Sequence, residues 1–286
     1  MNSLDDNLYL VGGQSFMGRY NPMAHNTYVQ RYSDQIRSFT VNNSGSQLAY
    51  SNYAAVTDGA HLHRRDYSLL PQVFPNGSKG LIISSGVFQT TVDLPFLYPV
   101  EITSKGYTAV TRFNQYLSNY HSAHISLFDS ANNRKHMLFF GGMSQCHYAD
   151  TTLVQDDNVP FVKTTSRLTR SNAGVLKEFQ LDEEMPKLHG AGSELIIAPS
   201  VPMFSENIMA LSKLTADSVL VCHIVGGISS PTENPFTSNQ SGSTLAETTV
   251  YEVYLVKDKN ASIQPIDGTN PYRFNFSPNP ISDVVV

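Results

Sequence analysis

The stretch His61-Leu-His63-Arg64-Arg65-Asp66-Tyr67 is the densest group of chemically capable side chains in the sequence. On a strand, His61 and His63 would face the same way and could share a metal, while Arg64 and Asp66 would share the other face. Two imidazoles need further ligands, and the sequence fixes no partner for them, so no metal is assigned here. The two arginines offer planar, bidentate donors suited to carboxylates and phosphates. His61, His63, Arg64, Arg65, Asp66 and Tyr67 are therefore the candidate ligand-binding residues. A structural reading competes: Arg64 or Arg65 pairs with Asp66 and fastens one unit of the fold to the next.

Other chemistry is sparse, and no catalytic residue is assigned. Gly190-Ala-Gly-Ser193 lacks the closing glycine and the strand-to-helix setting of a nucleophile elbow. Cys222 and His223 are adjacent, so on a strand they face opposite ways. The acidic loops Met143 to Asp150 and Gln155 to Asn158 have oxygen ligands but no ordered calcium spacing. Gly12-Gly13 and Gly226-Gly227 follow strands without opening a helix, so neither is a phosphate or dinucleotide loop. No cofactor is expected.

The elements that must position these residues read as strands. Short runs rich in Val, Ile, Tyr, Phe and Thr, bounded by Gly, Pro, Asn, Asp and Ser, recur throughout. Only Thr111 to His121 has a helical period, with Phe113, Tyr116, Leu117 and Tyr120 on one face, which allows a short helix or a loop. Four segments share one plan of apolar strand, small-small pair and loop. They are "LYLVGGQSF" at Leu8, "LIISSGVFQ" at Leu81, "LFFGGMSQ" at Leu138 and "HIVGGISS" at His223, each followed by another strand. A glycine pair after an apolar run marks a bend or a close backbone approach.

Four strands per unit, repeated, is the plan of a β-propeller. The doublets resemble those of the kelch family, in which a Gly-Gly pair ends the second strand of each blade near the crowded axis. The resemblance covers Leu8 to Val256, with Ser85-Gly86 in place of one doublet and no tryptophan in the chain. It implies an all-β kelch-like propeller of four or five four-stranded blades over 1–256; the alternative is a β-sandwich with glycine turns. If Leu8 to Val11 is a second strand, its first strand is expected from a distant segment or from upstream sequence.

A polar linker then leads, over 257–286, to Phe276-Ser-Pro-Asn-Pro-Ile-Ser-Asp-Val-Val-Val286. That ending resembles the opening of the type A sorting domain of the Bacteroidetes type IX secretion system. The resemblance implies an exported parent protein, extracellular or at the cell surface, although Met1 to Asn7 lacks the basic and apolar regions of a signal peptide.

Composition narrows the partners. A net charge of −5 with 15% charged residues among 286 gives no electrostatic footprint for nucleic acid. No apolar run is long enough for a membrane-spanning helix, so no membrane insertion is expected. Cys146 and Cys222 are too few for a disulfide framework and read as free thiols. The expectation is a monomeric binding module that presents the loops Gln14 to Tyr28, Gln89 to Leu94, Met143 to Asn158 and Ile228 to Ala246 to a glycan, peptide or protein. The alternatives are a polysaccharide hydrolase or lyase with its site in the channel, and a structural surface protein.

Overall fold

The computed structural model describes residues 1–19, 27–149, 152–236 and 244–257, together with the backbone of Tyr272–Asn279. The chain is all-β: among the described residues there is no α-helix, and a short 3-10 segment spans Leu211–Lys213. No helix is long and apolar enough to cross a membrane.

Four main sheets, each built on a four-stranded antiparallel meander, follow one another along the chain; the first, second and fourth have four strands and the third has six. Sheet 1 is Asn2–Leu4, Asn7–Val11, Gln35–Asn42 and Ala49–Thr57; sheet 2 is Ser68–Val73, Lys79–Ser84, Val100–Thr103 and Gly106–Ala109. Sheet 3 has the meander Ala123–Asp129, Arg134–Phe140, Thr165–Arg170 and Leu176–Gln180 and two added strands, Met203–Ser205 and Ile208–Ala210; sheet 4 is Glu194–Ile197, Ser218–Val225, Val250–Lys257 and Tyr272–Asn279. The first strand of sheet 1 is thus local, reached through a turn at Asp5, where φ is +53°, and not from a distant segment. Tyr272–Asn279, within the stretch expected to hold the linker and sorting motif, pairs along the edge of sheet 4, while 258–271 and 280–286 lie outside the described residues.

Each sheet is apolar on both faces where it lies between two others, which is why the second strands read as unbroken apolar runs. Leu81 and Ile83 pack with Leu4, Tyr9, Val11 and Ile36 of sheet 1. Ile82, between them in sequence, packs instead with Met137 and Phe139 of sheet 3. Leu138 and Phe140 alternate to the opposite side and meet Val221, Cys222, Ile224 and Val253 of sheet 4. Both cysteines are buried free thiols.

The first strands of successive sheets adjoin one another. No strand pairing joins sheet 4 back to sheet 1, so the described sheets form no closed barrel; antiparallel sheets packed face to face also fit the sandwich alternative. Between the first two strands of sheet 4, the hairpin Met203–Ser205 and Ile208–Ala210 crosses to sheet 3, where Ile208–Ala210 pairs in parallel with Ser126–Phe128.

Thr111 to His121 is irregular rather than helical. Some of its amides are taken by other segments: Gln115 N–H donates to Leu97 O at 2.7 Å and Tyr120 N–H to Met143 O at 3.0 Å. The apolar period there reflects anchoring, since Leu117 and Tyr120 are buried and Phe113 packs between sheets 2 and 3.

Candidate binding site

The segment from His61 to Tyr67 is the link between the last strand of sheet 1 and the first strand of sheet 2, and the glycine doublets make room for it. A Cβ on Gly12 would lie 3.2 Å from Arg64 O, and one on Gly86 would lie 2.8 Å from Tyr67 Cβ. The later links repeat the arrangement. A Cβ on Gly142 would meet Tyr120 O at 2.6 Å, and one on Gly227 would meet Ser193 N at 2.8 Å.

Within the link, side chains divide between inside and outside. Arg64 is 1% exposed. Its Nη1 donates to Ser85 O at 2.8 Å and to Tyr98 O at 3.0 Å, and its Nε donates to His61 O at 2.7 Å. The guanidinium lies 4.0 Å over the Phe96 ring. Burial lowers its pKa to about 10, which leaves it charged at neutral pH. Tyr67 also turns inward: its hydroxyl donates to Val11 O, and burial raises it to about 12.

These contacts are one case of a repeated staple. Before sheet 3, the buried Asn119 donates from Nδ2 to Gly141 O at 2.6 Å and to Thr164 O at 2.9 Å. Before sheet 4, the fully buried His189 places Nε2 at 2.7 Å from Gly226 O. A carbonyl only accepts, so Nε2 carries the proton. In sheet 1, Gly12 O accepts instead from Arg37 Nη2 at 2.9 Å and Ser33 Oγ at 2.7 Å. Each staple satisfies a carbonyl that the bend at the doublet takes out of the sheet ladder, where an unmet buried acceptor costs about 1–3 kcal/mol.

The remaining candidates face outward. Arg65 Nε lies 3.4 Å from Asp66 Oδ2, and its guanidinium sits 4.2 Å over the Phe88 ring. His63 Nδ1 is 2.8 Å from Asp34 Oδ1, and its ring stands 4.1 Å from that of Tyr32. His61 bonds elsewhere, to Tyr98 OH at 2.9 Å. The histidines therefore do not converge, and among the described residues no group of three His, Cys, Asp or Glu side chains is arranged for a metal. The side chains of His63, Arg65 and Asp66 keep 21%, 24% and 32% of their surface exposed. With Tyr32 and Phe88 they form a patch of one cation, carboxylates and aromatic rings at the doublet end.

No protein-family model and no curated protein matches this sequence. The patch stands on its own chemistry: a guanidinium fixed over a ring beside a carboxylate offers donors, acceptors and a flat apolar face within one surface. Of the loops expected to bear function, 20–26, 150–151 and 237–243 lie outside the described residues.

Sequence reasoning missed two groups. Asn119 and His189 carry no motif, and their acceptors are backbone carbonyls, which leave no mark in a sequence. The second is a cavity of about 460 Å³ between the first strands, lined by Asn2, Leu69 to Pro71, Ala123 to Ser126, Ser193 to Ile197 and Asn207. Its residues come from five separate stretches, and no local spacing signals it.

Proposed function

We propose that the chain is a binding module: an open arc of kelch-like propeller blades that presents the patch of His63, Arg65 and Asp66, with Tyr32 and Phe88, to a glycan. The four consecutive meanders, the doublets against the links and the adjoining first strands support the blade reading. The resemblance of Phe276 to Val286 to a sorting domain supports an exported protein that meets its ligand outside the cell or at its surface.

One observation carries the ligand assignment. Arg65 is held over Phe88 and beside Asp66 while a quarter of its side chain stays exposed, whereas Arg64 next to it is consumed by backbone carbonyls. An exposed, pre-oriented guanidinium loses less side-chain entropy on binding a hydroxyl pair or a carboxylate than a free one would. Catalysis on polysaccharide is the weaker reading: glycosidic hydrolysis uses two carboxylates, and Glu194 is the single carboxylate lining the cavity between the first strands.

The test is a thermal-shift and calorimetric screen of neutral and acidic oligosaccharides against the wild type, Arg65→Ala and His63→Ala. A ligand at about 100 times its Kd stabilises the native state by about 2.7 kcal/mol. The reading requires a shift in the wild type that Arg65→Ala abolishes without unfolding the protein. A screen without any shift, or one in which Arg65→Ala responds like the wild type, overturns it in favour of a structural surface role.

A further inference from the structure

The cavity between the first strands is separate from the patch, and its charge is one-sided. Neither lysine nor arginine lines it, and Glu194 is its one acidic residue. Glu194 forms no ion pair among the described residues, and it is solvent-exposed, so it stands at an opening.

Two of the other polar groups, His124 and Ser126, present lone pairs. His124 Nδ1 lies 3.0 Å from Ser122 O, a carbonyl that can only accept, so Nδ1 carries the proton and Nε2 is left as an acceptor. Burial lowers the His124 pKa, which keeps the ring neutral at physiological pH. Ser126 Oγ spends its hydrogen on Pro71 O at 3.3 Å. One Asn2 Nδ2 hydrogen goes to Leu69 O at 3.1 Å, and Asn2 Oδ1 accepts from Ser3 N–H at 2.9 Å. The apolar remainder is supplied by Leu69, Pro71 and Ile196, the last 57% exposed although it lines the cavity.

From this asymmetry we infer that the cavity binds a primary ammonium group on a short apolar chain, as in an alkylamine or a lysine side chain. The ammonium supplies three donors and a positive charge where the protein supplies acceptors and one carboxylate. The chain lies along Leu69, Pro71 and Ile196. An anion is repelled by Glu194 and finds no lysine or arginine in the lining. A divalent metal finds one carboxylate and one imidazole, too few ligands to hold it.

The experiment is a titration of the full chain by calorimetry and NMR with pentylamine, 1-pentanol and pentanoate at pH 7.5, repeated on Glu194→Gln and Arg65→Ala. Pentylamine should bind about tenfold more tightly than pentanol, the worth of a charge-assisted hydrogen bond, and pentanoate should not bind. Glu194→Gln should remove that tenfold advantage and leave pentanol unchanged. Arg65→Ala, which alters only the patch, should leave all three unchanged. Equal affinity for amine and alcohol, an unaltered amine affinity in Glu194→Gln, or no binding of pentylamine overturns the inference. None of these outcomes depends on whether a glycan occupies the patch.

Discussion

Gly141 and Gly226 hold the same place in successive doublets with nearly the same backbone, φ +65° and +66°, yet their surroundings are opposite. A Cβ on Gly141 would fall 2.2 Å from His189 O, in the link that runs on to sheet 4. A Cβ on Gly226 would meet nothing within 4 Å. The pair separates two reasons for glycine that are usually confounded. At Gly226 the residue is needed for its left-handed backbone alone. At Gly141 it is needed also because another strand of backbone occupies the space a side chain would take.

The largest effect that tests this contrast is Gly141→Ala. The left-handed conformation costs roughly 1–2 kcal/mol for a residue with a Cβ, and forcing His189 O aside adds roughly 1–3 kcal/mol. Chemical denaturation should show a loss of about 3 kcal/mol or more, or no folded protein. Gly226→Ala should lose only the conformational part, roughly 1–2 kcal/mol. Equal losses at the two sites would remove the packing explanation.

The smallest effect concerns acid. His189 fastens Gly226 O, whereas Asn119, which does not titrate, fastens Gly141 O. Burial lowers the His189 pKa below 6.5; the bond to Gly226 O and the charge of Glu247 partly offset this, and Lys187 adds to it. A base whose folded pKa is depressed takes up its proton first in the unfolded state. The stability is therefore intact above pH 6.5 and is lost as pH falls from there through the folded pKa. Denaturation curves at pH 7.5 and pH 5 should show a shallower decline for His189→Gln than for the wild type. A parallel decline would mean that other groups, such as His124 and His136, account for all the acid sensitivity at these pH values.

Much of the fold was legible in the residues. Strand runs, turn residues and four doublets gave an all-β chain of repeated units, and the doublets were read as places of close backbone approach. What approaches them was not legible, because the links have no shared sequence: their stapling residues are Arg64, Asn119 and His189. Function is carried by donor geometry there, and three different side chains supply it. The same blindness made Arg64 look like a ligand-binding group, since a sequence shows the guanidinium and not the carbonyls that engage it. Thr111 to His121 misled in another way, because anchors to several neighbours fell by coincidence at helical spacing.

The hairpin ending at Ala210 belongs by sequence to sheet 4 and by its hydrogen bonds to sheet 3. In an array of units, local contacts let each unit open alone. Here sheet 4 cannot peel away without first stripping the Ser126–Phe128 edge of its parallel partner, so the two sheets form one cooperative opening unit in amide exchange. Among the described residues sheet 1 has no such strap, and its amides should exchange through a smaller, earlier opening.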